Sequence, residues 1–273
     1  MVLNMLRVID VSSNQGLIKI EPIDCDAVIA KATGGTSYVN DCCDYVIQQC
    51  IKLGKPWGFY HYAHEFGHVD TPQKEADYFI QNTRDYFTHG IVALDYEVAI
   101  NGSSYTQDDI NWINQFIDYV YNKTGVYCLL YISKSLVTST GNWSDVAKKS
   151  GLWYAQYADN NRVGWTSNPW SDSKSTAPFN VVMQQYTGHG RINGYNGDLD
   201  LSLFYGDKNT WQAYANPKQP MHQSNDNMKE VKPVDYLTAF AKDVINGKYG
   251  VGQQRKENIY NAIQNRVNEL LKQ

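Results

Sequence analysis

The run GIVALDYEVAI (90–100) is apolar except for two acids one residue apart, Asp95 and Glu97. In a strand, residues two apart point the same way, so both carboxylates would share a face while Leu94, Tyr96 and Val98 take the other. Crowded like charges raise one pKa and leave a neutral acid beside an ionised one. Glycoside hydrolysis uses such a pair: one carboxyl protonates the leaving oxygen, and another manages positive charge at the anomeric carbon. Either acid alone could cap a strand end or pair with a surface base. That reading weakens when the two are taken together, because they repel unless something uses them.

The elements that would position this pair recur along the chain. Eight short β-rich runs occupy 6–12, 27–33, 56–63, 90–98, 126–133, 152–158, 181–187 and 199–204. Between them, NDCCDYVIQQCIKLG (40–54) predicts a helix with Tyr45, Ile47, Cys50 and Ile51 on its apolar side and a stop at Gly54. TPQKEADYFIQNTRDYF (71–87) opens with a Thr cap and a Pro in the first turn. TQDDINWINQFIDYVYNKTG (106–125) carries acids at its start and a Gly after its end. Strands alternating with helices predict a parallel α/β sheet, and eight strands predict closure into a TIM-like barrel. The last three strands are joined by Gly-, Asn- and Ser-rich loops without a clear helix, so an irregular barrel is expected.

Parallel barrels place active sites at the C-terminal ends of their strands. Asp10, Asp95 and Glu97 fall late in their runs, and Asp200 lies in the eighth, which neighbours the first in a closed barrel. One mouth is therefore expected to gather Asp10, Asp95, Glu97 and Asp200. Lys31, Tyr60, Tyr62, Tyr131, Trp153, Gln156, Gln185 and Tyr186 also come late in their runs and are expected to join them.

Composition narrows the classes. An apolar content of 42% with 13% aromatics is enough for a core, and 21 Tyr and 7 Trp offer flat faces suited to sugar rings as well as to packing. A net charge of −4 argues against nucleic acid as a partner. No run approaches the ~18 apolar residues of a membrane span, so no membrane insertion is expected. The start, MVLNMLRVIDVSSNQG, lacks a charged n-region and a cleavage site, which predicts synthesis in a cytoplasm without a signal peptide. Five cysteines (25, 42, 43, 50 and 128) are odd in number and lack metal-ligand spacing, so free thiols are expected. His64-Glu65-Phe66-Gly67-His68 matches H-E-x-x-H in form. It follows a strand-like run and holds a Gly, so a rim loop is expected there rather than a zinc helix. No metal and no cofactor are predicted.

After Ala215 the character changes. Residues 216–233 (NPKQPMHQSNDNMKEVKP) read as a linker between a barrel at 1–215 and a helical module at 234–273. The module holds six Lys/Arg against four Asp/Glu, so a mildly basic tail follows an acidic body.

Seven stretches in order, IDVSSNQG, VIAKATGG, GFYHYA, LDYE, LLYIS, LWYAQY and QQYTGHGRINGYNGDLDLSLF, resemble glycoside hydrolase family 25, the lysozymes (N-acetylmuramidases) found in phage endolysins and bacterial autolysins. The resemblance implies an irregular β/α barrel of five βα units followed by three strands. It implies Glu97 as proton donor, with Asp10, Asp95 and Asp200 as the other active-site acids. Lys31, Tyr62, Tyr131, Trp153 and Gln185 match positions that line the sugar groove. Two departures stand out: Gly34-Gly35 where the family often has Glu-Gly, and Gln184-Gln185 where Trp-Gln is common. The tail resembles the CW-seven cell-wall-binding repeat, with Tyr249, Gly250, Gly252 and Arg255 at its central turn and following helix. This copy lacks several residues usual near 260–262. The implied activity is hydrolysis of the β-1,4 bond between N-acetylmuramic acid and N-acetylglucosamine in bacterial peptidoglycan. Two routes are open at the anomeric carbon: attack by the substrate's 2-acetamido oxygen, which family precedent favours, and direct attack by an aspartate. Release through a holin-type pore would follow. The alternatives are a non-catalytic wall-binding protein and a chitinase-like glycosidase, although the D-x-x-D-x-D-x-E signature of chitinase barrels is absent.

Overall fold

One residue in two along each apolar run reaches a shared interior, and that alternation closes the strands into a barrel. The computed structural model describes residues 5–102, 104–217, 248 and 258–263. By backbone contacts the chain divides into two compact units, Met1–His222 and Gln223–Gln273.

In the first unit the strands are β1 (Leu6–Val11), β2 (Ala27–Gly34), β3 (Tyr38–Val39), β4 (Trp57–Tyr62), β5 (Ile91–Asp95), β6 (Leu129–Ser133), β7 (Leu152–Ala155), β8 (Val181–Gly190) and β9 (Leu199–Phe204). Their order is β1-β9-β8-β7-β6-β5-β4-β2-β3, and an extra β1–β2 pairing closes eight of them into a ring. β3 only hooks onto β2.

The expected all-parallel sheet needs one correction. β9 runs antiparallel to both β8 and β1. Strand direction leaves no trace in composition. The short Gly- and Asn-rich connection from β8 simply returns the chain as an antiparallel neighbour would. The reversal brings the start of β9, rather than its end, to the mouth where the parallel strands finish.

Helices α1 (Cys43–Leu53), α2 (Pro72–Thr83) and α3 (Gln107–Thr124) cover the outside, followed by short α4 (Lys134–Ser139) and α5 (Ser144–Ala147). The predicted Thr71 cap and N-terminal Pro of α2, and Gly125 after α3 in a left-handed turn, are present. The apolar face of α1 differs from expectation. It buries Cys43, Val46, Ile47 and Cys50, spaced as one helical stripe, while Tyr45 and Ile51 fall off that stripe and stay exposed.

Inside the barrel, Leu6, Val8, Ala27, Ile29, Ile91, Ala93, Leu129, Met183 and Phe204 form a dry plug. Helix α6 (Lys208–Ala215) seals the end where the parallel strands begin. Its Trp211 is buried, donates to the Trp57 carbonyl at 3.0 Å and packs edge-on against Phe204. Burying one such side chain contributes about 2–3 kcal/mol. The five cysteines are free thiols. No described helix is long and apolar enough to cross a membrane. Residues 258–263 are helical. Tyr249, Gly250 and Arg255 lie outside the described residues, as do most of the expected linker and module.

Candidate active site

With the dry plug below, the next inward position on each strand meets solvent at the mouth. There the chain places Asp10, Lys31, Tyr62, Asp95 and Gln185, each two residues beyond an interior neighbour on its own strand. A pocket of about 260 Å³ is lined by these together with Glu97, Asp200, Tyr131, Trp153, Tyr60, Tyr157, Ser12 and Asn14. All four expected acids and all five expected groove residues thus share one cavity. Gln156 and Tyr186 do not line it. Gln156 accepts from Ser171 and from the Asp172 N–H, and the Tyr186 hydroxyl donates to the Gly164 carbonyl. Both sit one residue from an inward position, and the pleat turns them away. Tyr157, missed in the sequence, is the residue that a strict count of two from Trp153 and Ala155 selects. Ser12 and Asn14 come from the turn after β1, where no periodicity guides a reading.

Glu97 lies beyond the end of β5, so other contacts position it. The Tyr96 N–H donates to the Tyr131 carbonyl at 3.0 Å, extending the ladder by one residue. The Tyr96 ring points away from the pocket into the helix layer, where its hydroxyl donates to Asp109 at 2.8 Å. The buried Asp109 carboxylate also accepts the N–H groups of Ile100 at 2.8 Å and Thr106 at 2.7 Å, so it ties both ends of the following loop. The Tyr105 hydroxyl donates to the Glu97 carbonyl.

The pocket floor is a connected polar network. Gln185 donates to both oxygens of Asp10 at 2.9 and 3.1 Å, and its carbonyl oxygen accepts the hydroxyls of Tyr131 at 2.7 Å and of Tyr157. Trp153 donates to Ser202 at 3.1 Å and meets Tyr131 edge-on. Lys31 pairs with Glu65 at 2.5 Å and lies over the Tyr62 and Tyr38 rings. Asp95 Oδ1 is buried with no hydrogen-bond partner among the described residues.

All four acids have raised pKa values. Burial, then the Asp200 charge, holds Asp10 well above the usual carboxylate range, against the Gln185 hydrogen bond. Burial, then Glu97 and Asp10, does the same to Asp95, with Lys31 opposing. Asp200 is pushed up to about 6 by burial and then by Glu97. Glu97 is raised by burial, while hydrogen bonds from Tyr131 and Tyr62 and the Lys31 charge hold it down. Much of the Glu97 surface is open to water, which screens its rise. The crowding expected to raise one acid of the Asp95–Glu97 pair thus acts on Asp95, while Glu97 is raised by burial. The repulsion falls mainly on the more deeply buried Asp10 and Asp95.

The H-E-x-x-H segment forms no α-helix, only a kinked 3-10 turn at Glu65–Gly67. His64, Phe66 and Gly67 all have positive φ. Buried His64 is 3.0 Å from Glu75 through Nδ1 and 3.2 Å from the Tyr96 hydroxyl through Nε2, while Glu65 turns to Lys31. Two His one turn apart on a helical face, as a zinc site of this motif requires, are not formed.

Comparison with known proteins agrees with this geometry. The family described as glycosyl hydrolases family 25 matches residues 9–195, and the CW_7 repeat matches residues 238–271. Lysozyme M1 of Streptomyces globisporus is 30% identical, over 76% of this chain and 70% of its own. The autolytic lysozyme of Clostridium acetobutylicum is 27% identical, and the match spans only 56% of its length. The lysozyme of Streptococcus phage Cp-7 is 24% identical, over 96% of this chain and 69% of its own. Among solved structures, the bacterial lysozyme from Streptomyces coelicolor superposes with a TM-score of 0.61 at 27% identity, covering 78% of this chain and 98% of that one. The barrel, its pocket of four acids and these matches together place the chain in glycosyl hydrolase family 25.

Proposed function

We propose that this protein is a lysozyme that hydrolyses the β-1,4 bond between N-acetylmuramic acid and N-acetylglucosamine in bacterial peptidoglycan. The observation that carries the reading is the meeting of Asp10, Asp95, Glu97 and Asp200 in one sugar-sized, aromatic-lined pocket. Glu97, at the open side, donates its proton to the departing glycosidic oxygen. The 2-acetamido oxygen of the muramic sugar attacks the anomeric carbon as that bond breaks, one of the recognised exceptions to a two-carboxylate scheme. Asp95, on the pocket wall, supplies a carboxylate acceptor for the acetamide N–H and orients it. Water then opens the cyclic intermediate, with Glu97 taking back a proton. Asp10, fixed by Gln185, and Asp200 shape the field and hold substrate.

The segment 234–273 serves as a wall-binding module, with Tyr249, Gly250 and Arg255 contacting the wall. The CW_7 match supports this role. Tethering the module to the barrel through 216–233 raises the local concentration of enzyme at its polymer, and that compensates for the weakness of a single repeat. Relatedness to a phage lysozyme supports release through a holin-type pore without membrane insertion. Glu97→Gln should abolish clearing of a purified cell-wall suspension while the variant still sediments with the walls. If that variant still clears walls, the assignment of the proton donor is wrong.

A further inference from the structure

The catalytic pocket continues past Lys31. A second cavity of about 520 Å³ shares Ser12, Asn14, Lys31 and Tyr62 with it, and Tyr38, Phe66 and Gly67 lie on its remaining wall. Phe66 is 71% exposed. A lone exposed apolar side chain is ordinary. Its backbone is not: Phe66 has φ 58 and ψ 20, and His64 has φ 57 and ψ 41, left-handed conformations that side-chain-bearing residues seldom adopt.

The flanking residues hold that turn in place. Buried His64 is anchored to Glu75 and Tyr96. Glu65 reaches inward to Lys31 across Gly34, where an added Cβ would lie 1.9 Å from the Glu65 carboxylate. The absence of a side chain at Gly34 is thus the opening through which this loop brings its acid to Lys31. With His64 and Glu65 directed inward, the turn throws the Phe66 ring outward against the edge of Tyr38, at 6.1 Å and 88°. Tyr38 is in turn fixed to Ser13 at 3.0 Å. A strained turn that presents an aromatic face to solvent, beside a cavity continuous with the catalytic pocket, suits a ring-shaped ligand already held at that pocket.

We propose that Phe66 and Tyr38 form a subsite for a further N-acetylated pyranose of the glycan strand, beyond the two sugars at the cleaved bond. The proposal rests on the lysozyme reading. Its test uses the full chain and peptide-free glycan strands, long or trimmed to the shortest cleavable length. Long strands fill the subsite and short ones leave it empty. In Phe66→Ala, the ratio of kcat/KM on long over short strands should fall roughly tenfold, the loss of about one aromatic contact. Phe66→Tyr should restore the ratio. An unchanged ratio in Phe66→Ala overturns the subsite, as does an effect seen only when stem peptides are present. Equal losses on both substrates, or a lowered melting temperature that accounts for the loss, would mark structural damage and also count against it. A wild-type enzyme inert on every strand would sink the lysozyme reading itself, and the subsite with it.

Discussion

Asp10 of β1 lies directly opposite Asp200 of β9 across an antiparallel pair. The two carboxylates therefore share a pocket wall before Asp95 and Glu97 are counted. Packing four acids around one cavity costs stability at neutral pH, and that cost marks a site kept for chemistry.

The cost can be measured at Asp200. Its pKa is raised from 3.8 to about 6 in the fold, which corresponds to at most about 3 kcal/mol. Between those values the folded protein binds more protons than the unfolded chain, so stability is lost as pH rises through that window and regained as it falls. Asp200→Asn cannot ionise. It should melt above wild type at pH 7, with the gap closing near pH 4 as both states of the wild type become protonated. A variant that melts lower at pH 7 would contradict the electrostatic account.

With Glu97 as the proposed proton donor, Lys31 should set the alkaline limit of activity. Its charge lowers both Glu97 and Asp95, so its loss disfavours their ionised forms. A general acid must be protonated to act, and activity falls as pH rises through its pKa. Lys31→Met should move the descending limb of kcat against pH upward on soluble glycan strands. An unmoved limb, or one shifted downward, would separate Lys31 from the proton donor.

Asp109 positions Glu97 without touching the pocket. Asp109→Ala would orphan the N–H groups of Ile100 and Thr106 and leave the Tyr96 hydroxyl with His64 Nε2 alone. The expected loss of stability is about 3 kcal/mol. Small displacement of a catalytic group lowers kcat on the order of 10–100-fold. Asp109→Asn keeps an acceptor and should recover much of the rate. Stopped turnover can be compared at a temperature where both variants are folded. If Asp109→Ala matches wild-type kcat there, the loop does not depend on this carboxylate.

What could be read in advance follows a physical rule. Inward positions repeat every second residue, so Asp10, Lys31, Tyr62, Asp95, Tyr131, Trp153 and Gln185 could be found from strand runs alone. The rule loses its grip at strand ends. Taking residues that come late in a run, instead of counting by twos from an inward one, picked out Gln156 and passed over Tyr157. Strand direction is invisible to periodicity, so the reversal of β9 went unseen, although Asp200 still reaches the mouth. Phe66, Ser12 and Asn14 lie on turns whose shapes depend on partners distant in sequence, such as the Glu65–Lys31 pair across Gly34. The proton balance among four carboxylates depends on depth of burial, and a list of acids carries no information about depth.

The central claim is settled most directly by the chemistry of the cut ends. Purified peptidoglycan digested with the full-length protein, then borohydride-reduced and read by mass spectrometry, reports which sugar forms each new reducing terminus. Reduced N-acetylmuramic acid ends, absent from the Glu97→Gln digest, are the result expected. New ends carrying reduced N-acetylglucosamine, or no new ends at all, would contradict it.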